Sequence, residues 1–104
     1  MTAHAQRYLE YCNNRRKPQL IIDTDPGQDD AAAILMALGL EKMGLLEVLA
    51  LTTVAGNVSL HHTSKNACVI ADWAGRTDLA VYGGADKPLL KTLVTAQHVH
   101  GNNG

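Results

Sequence analysis

Apolar positions along the chain fall into short continuous runs separated by polar, glycine-rich joints. Gln19-Leu20-Ile21-Ile22 is a β-branched and aliphatic run that ends at an acid and a Pro-Gly pair, which predicts a buried strand followed by a turn. Asp29-Asp30 open an alanine-rich run, Ala31 to Leu40, with strong helix formers and acids in its first turn. Gly39 or Gly44 is placed to end that helix. Glu47 to Val54 is a second apolar strand, closed by Ala55-Gly56-Asn57. Ser59 is a predicted N-cap for a helix running to about Ala74, where Gly75 stops it. Leu79 to Tyr82 is a short third strand closed by Gly83-Gly84. Residues 1–18 read as an N-terminal extension, weakly helical around Ala5–Cys12, and residues 19–104 as the body of the domain.

The order β-α-β-α-β with near-continuously apolar strands predicts an α/β fold, a Rossmann-like open parallel sheet with flanking helices. In such sheets ligands bind beyond the carboxyl ends of the strands, near a change in strand order. Asp23 and Asp25 follow the first predicted strand and Asn57 follows the second, so the polar residues of interest sit at that end.

Composition narrows the function classes. With 104 residues, 46% apolar and 18% charged, the chain is one small globular domain at most. A net charge of -1 gives no pull toward nucleic acid or an anionic membrane surface. The aromatics are Tyr8, Tyr11, Trp73 and Tyr82, too few for a base-stacking platform. No run approaches the ~20 apolar residues that span a bilayer, and Met1 to Pro18 lacks the apolar core of a secretion signal. Cys12 and Cys68, far from any Cys-x-x-Cys spacing, read as reduced thiols of a cytoplasmic protein. Arg15-Arg16-Lys17 reads as a solvated lead-in to the first strand, and the sequon Asn57-Val58-Ser59 as incidental.

The candidate chemistry lies in the octet Asp23-Thr24-Asp25-Pro26-Gly27-Gln28-Asp29-Asp30. Two carboxylates ~4 Å apart repel by about 4 kcal/mol at an effective dielectric of ~20. Four acids gathered by a Pro-Gly turn therefore become partly protonated or share a cation. Oxygen donors without neighbouring Cys or His favour calcium or magnesium over zinc. Turn formation by Asp-Pro-Gly and capping by the Asp pair account for the same residues without a ligand. The position of the whole octet, just after an apolar strand and just before an apolar helix, favours a site. An EF-hand is excluded, because counting from Asp23 puts Gly27, Gln28 and Ile34 at positions five, six and twelve. No Gly-Lys-Ser/Thr follows any strand, which excludes a P-loop. Asp23-Thr24-Asp25 also fits a haloacid-dehalogenase-like magnesium phosphotransferase, although Gly27 departs from that pattern.

The octet resembles the signature of the inosine–uridine-preferring nucleoside hydrolases. Thr52-Thr53-Val54-Ala55-Gly56-Asn57 resembles the second block of that family. Gly83-Gly84-Ala85-Asp86-Lys87-Pro88-Leu89 and His98-Val99-His100-Gly101-Asn102-Asn103-Gly104 resemble the next two, in the same order. The resemblance runs from about Leu20 to Gly104. It implies calcium-dependent hydrolysis of the N-glycosidic bond of ribonucleosides, giving free base and ribose. It also implies Asp25 as metal ligand and general base, Asp30 as a second ligand that can bind through both oxygens, and Asp29 as a ligand that reaches a ribose hydroxyl. Asn57 then holds the sugar, His100 contacts the nucleoside, and Asp23 orients the other acids. His98 is a weaker candidate for substrate contact, and His4, His61 and His62 read as solvated or structural.

Members of that family are longer, and their sheet continues through further strands. The fold is accordingly expected as one truncated after about three strands. The chain is expected to be a weakly active or inactive fragment that lacks later calcium ligands and the residues that activate the leaving base. The alternatives left open are the magnesium phosphotransferase and a non-catalytic, cation-binding remnant. The resemblance further implies a ribonucleoside substrate and a homodimer or homotetramer at full length, while the cysteines and charge above point to a cytoplasmic protein with neither nucleic acid nor membrane as partner.

Overall fold

A computed structural model describes residues 2–14 and 17–104. Arg15 and Arg16 of the predicted cationic lead-in lie outside the described residues, as does the side chain of Cys12. The elements are α1 (Ala3–Asn13), β1 (Gln19–Thr24), α2 (Gln28–Lys42), β2 (Glu47–Thr53), α3 (Leu60–Trp73), β3 (Ala80–Gly83) and a single turn α4 (Gln97–His100). The extension is a full helix rather than a weak one. It is tied to the body where the Tyr8 hydroxyl donates to Leu45 O at 2.8 Å.

The three strands form one parallel sheet in the order β1-β2-β3. Register runs Asp23↔Thr52 and Thr24↔Thr53 between β1 and β2, and Thr52↔Tyr82 between β2 and β3, after an irregularity at Leu20/Ile21. The strands follow sequence order, so the change of strand order expected near the site does not occur among the described residues. β1 extends two residues further than the apolar run, which puts Asp23 inside the strand and makes Asp25 the first residue beyond it.

Helices α2 and α3 pack against each other and against β2, covering one face of the sheet. Ile34 and Leu38 of α2, Val48 and Leu51 of β2, and Ala67, Ile70 and Ala71 of α3 form the buried core with Leu46 and Leu79. The opposite face carries Ile21 at 63% and Tyr82 at 62% exposure. Burial of the core side chains stabilises the fold by about 1.5–3 kcal/mol per large aliphatic residue.

Helix boundaries follow local chemistry. Helix α2 runs through Gly39 and stops at Gly44, where φ of +79° reverses the chain and the Leu45 N–H reaches Leu40 O at 3.1 Å. Gly75 does the same for α3, with the Arg76 N–H on Ala71 O at 2.9 Å. Ser59 occupies the N-cap position of α3 but makes no capping bond, because its hydroxyl pairs with His62 Nδ1 at 3.0 Å.

Arg76 then closes the far end of the sheet. Its guanidinium binds Glu41 and Asp78, while Glu41 Oε1 accepts the Val48 N–H at 2.8 Å. Burial pushes the Glu41 carboxyl up, but the hydrogen bonds from Arg76 and Val48 and the guanidinium charge outweigh it and hold it below the ordinary value. The Arg76 hydrogen bond likewise holds Asp78 down, and the two carboxylates push Arg76 up. No helix among the described residues is long and apolar enough to cross a membrane.

Candidate functional site

The carboxyl ends of β1 and β2 lie side by side, and the segments leaving them are joined by a two-bond clasp in which Asn57 supplies both donors. The Asn57 N–H donates to Asp25 Oδ2 at 2.8 Å, and Asn57 Nδ2 donates to Asp25 O at 2.9 Å. Parallel pairing of β1 with β2 makes this contact between residues 32 apart in sequence. Gly56 is required by the close approach, since a Cβ there would collide with Asp25 Oδ2 and stand 3.0 Å from its Cγ.

Asp30 turns back from the first turn of α2 toward the strand it follows. Its Oδ2 accepts the Thr24 hydroxyl and the Asp25 N–H, the latter at 3.0 Å. Thr24 is buried, so its hydroxyl has a fixed direction. Oδ2 of Asp25 and Oδ2 of Asp30 are thus both occupied by donors. Oδ1 of each accepts no hydrogen bond among the described residues. These donors offset the carboxylate repulsion expected from the octet, in addition to any cation. Asp23 is exposed and its Oδ1 accepts the Thr52 hydroxyl at 2.7 Å, tying the acid across to β2. Asp29 is exposed in the first turn of α2, where its charge complements the helix dipole.

The expected acidic ligand group is only partly assembled. Among the described residues no three His, Cys, Asp or Glu side chains come together as a set that could hold a metal ion. Asp25 and Asp30 are brought together through the Asp25 N–H, and Asp29 lies on an exposed position of the next helix. The donor chemistry still suits a hard cation, because the groups at this strand end are carboxylate oxygens with one unoccupied oxygen on each of Asp25 and Asp30.

The segment 84–104 returns over this end of the sheet. The Ala96 N–H donates to Asn57 O at 2.8 Å, and α4 follows at once. His100 then lies directly on Gly27, whose missing Cβ would collide with His100 Nδ1 and stand 2.9 Å from Asn57 Nδ2. Glycine at that position lets the imidazole, the Asn57 amide and the turn of the octet meet. His98 is exposed on α4, His4 is exposed on α1, and His61 pairs edge-on with His62 at a centroid distance of 5.5 Å. A cleft of about 370 Å³ opens beside the turn, lined by Pro26, Gly27, Gln28, Asn66, Trp73 and Gly104 among others. Thr24 and Thr52 lie inside the octet and the second block but take no role from the sequence pattern, and Asn66 is a site neighbour with no signal along the chain, because a single polar residue in an apolar element has no periodicity of its own.

An α/β sheet with acids at the end of its first strand, an amide from the second and a histidine from a returning loop defines a class of small-ligand site. The family model described as inosine-uridine preferring nucleoside hydrolase matches residues 20–104, and the chain belongs to that family. The inosine-uridine preferring nucleoside hydrolase of Crithidia fasciculata is 46% identical over 86 residues, covering 83% of this chain and 26% of that protein. A protein of Shewanella woodyi named as the pyrimidine-specific ribonucleoside hydrolase RihA is 46% identical over 85 residues, 82% of this chain and 26% of its own length. The solved structure of a plant nucleoside hydrolase, PpNRh1, superposes with a TM-score of 0.73 at 43% identity over 83% of this chain and 27% of that one. The chain thus spans about a quarter of the length of the relatives it matches. Family membership sets aside the phosphotransferase reading of Asp23-Thr24-Asp25.

Proposed function

We propose that the protein hydrolyses the N-glycosidic bond of ribonucleosides, releasing free base and ribose, with calcium at the carboxyl ends of β1 and β2. The observation that carries this reading is the Asp25–Asn57 clasp, which presents one free carboxylate oxygen beside an amide suited to sugar hydroxyls. The family is generally metal-dependent, and the oxygen-only donors favour calcium within that class. Asp25 and Asp30, each with a carboxylate oxygen left free of hydrogen bonds among the described residues, would hold the ion, and Asp29 would add a ligand or reach a ribose hydroxyl. When bound, calcium lowers the pKa of water and orients vicinal hydroxyls.

Asp25 takes the proton of the attacking water as it approaches the anomeric carbon. Asn57 holds the sugar, His100 contacts the nucleoside over Gly27, and Asp23, anchored by Thr52, orients the neighbouring acids. Calcium takes 6–8 oxygen ligands, of which three aspartates would supply part, with water and sugar hydroxyls supplying others. A cytoplasmic location, and a homodimer or homotetramer at full length, complete the proposal.

Incubation with inosine or uridine in calcium or in chelator tests the reading. Calcium-dependent release of free base, abolished in Asp25→Asn, is the expected result. Release that persists in Asp25→Asn overturns the assignment, and calcium binding with no release at all leaves a non-catalytic cation-binding protein.

A further inference from the structure

The part of the returning segment that carries His100, residues 96–104, is hydrogen-bonded to the body at two points among the described residues. Upstream of the histidine, the Ala96 N–H bonds to Asn57 O at 2.8 Å. Downstream, a single side chain makes the connection. Asn66, on the second turn of α3, donates from Nδ2 to Asn103 O at 2.9 Å and to Pro26 O at 3.2 Å. These carbonyls belong to segments 37 and 40 residues away, and one of them lies inside the octet. Gly104 fits against the same amide, since a Cβ there would stand 2.7 Å from Asn66 Nδ2 and 3.4 Å from Pro26 O. One primary amide thus fastens the octet turn and the His100 loop to the same rigid helix.

We propose that Asn66 is a positioning residue, which acts on the site by holding His100 against Gly27 and Asn57. Two donors on one nitrogen suit this task. Both hydrogens of the amide are spent on backbone carbonyls, so the relative position of the two segments is fixed by one planar group on a helix. A hydroxyl in place of the amide offers one hydrogen, and a carboxylate offers none. Among the described residues, loss of the clasp leaves the loop hydrogen-bonded to the body upstream of His100. The imidazole then leaves Gly27 while the Asp25–Asn57 bonds, which Asn66 does not touch, remain. The purpose of this arrangement rests on the nucleoside-hydrolase reading above, but the placement of His100 can be measured without any turnover.

The test is histidine-selective NMR of the full chain, comparing wild type with Asn66→Asp and, as an uncharged alternative, Asn66→Ala. His61 and His62 sit on the same helix as Asn66 and report its integrity. The expected result in either variant is that the His100 ring signals move to positions typical of a free histidine. Amide exchange at Val99–Gly101 should also rise about tenfold, the effect of losing the hydrogen bonds that anchor a loop. The His61 and His62 signals should stay where they are. Unchanged His100 signals in a folded variant overturn the proposal. Equal movement of His61, His62 and His100 overturns it as well, because Asn66 then supports α3 as a whole. A chain that hydrolyses no nucleoside but shows the selective His100 shift refutes the functional reading and leaves the clasp standing.

Discussion

Gly56→Ala puts the clasp at the centre of the site to a direct test. The residue does not lie in the left-handed region, so its backbone accepts alanine without strain. On entropy alone the change stabilises by about 0.4–1 kcal/mol, through the unfolded chain. The new Cβ, however, collides with Asp25 Oδ2 and comes within 3.2 Å of Asp25 Cβ, so rotation of the carboxylate alone does not clear it. Displacing Asp25 breaks the bond from the Asn57 N–H, and a hydrogen bond to a charged group contributes about 1.5–3 kcal/mol. The lost hydrogen bond outweighs the entropic gain, and the net loss is about 1–2 kcal/mol. For a domain of this size each kcal/mol shifts the midpoint by about 4–8 °C. Thermal unfolding followed by circular dichroism should therefore show a drop of about 4–15 °C. Gly39→Ala is the matched control. It sits in the interior of α2 with no atom within 4 Å of the added Cβ, and should stabilise by about 1 kcal/mol. A Gly56→Ala protein as stable as wild type would refute the description of Asp25 as fixed by the Asn57 backbone.

Other outcomes follow from the same structure. Leu51→Ala empties the centre of β2, where Leu51 is fully buried, and should cost about 2–5 kcal/mol in urea titration. Glu41 and Asp78 have lowered pKa values in the folded state, so their contribution is present above the ordinary carboxylate range and is lost as pH falls through the folded values. Arg76→Gln removes the guanidinium, the largest lowering influence on both carboxyls, while the Val48 N–H still holds Glu41, and should flatten part of the acid side of the stability–pH profile. An unchanged acid limb would count against the clamp. Thr24→Val deletes the hydroxyl that fixes Asp30 Oδ2 and should lower stability by about 1 kcal/mol while weakening calcium binding; unaltered calcium affinity would detach Thr24 from the site.

The strands and the two long helices were legible because their runs of apolar residues and glycine stops are local signals. Gly44 and Gly75 end α2 and α3 for the conformational reason that made them candidates. The octet was legible as a unit for a similar reason, since strand end, turn and helix start are contiguous. Its internal geometry was not. Four acids suggest convergence, yet Asp30 folds back onto Thr24 and the Asp25 N–H, Asp29 faces solvent, and Asp23 is held within the strand by Thr52. Such choices depend on where single donors fall in three dimensions. The contacts of Asn57 with Asp25, and of Asn66 with Pro26 and Asn103, join residues more than 30 apart and have no period along the chain. Gly27 and Gly56 read as turn residues in the sequence, while the structure shows that both leave room for a neighbouring side chain. Gly39, the other candidate stop for α2, instead lies in an exposed helix interior that tolerates it.

Calcium titration by calorimetry, on the wild type and on Asp25→Asn side by side, tests the central assignment most directly. A cation held by Asp25 and Asp30 gives measurable heat in the wild type and none in the variant. A ligand at about 100 times its Kd stabilises the folded state by about 2.7 kcal/mol, so the wild type alone should also gain thermal stability on saturation. Equal binding by both proteins, or no binding by the wild type, would contradict the placement of the metal at the end of β1.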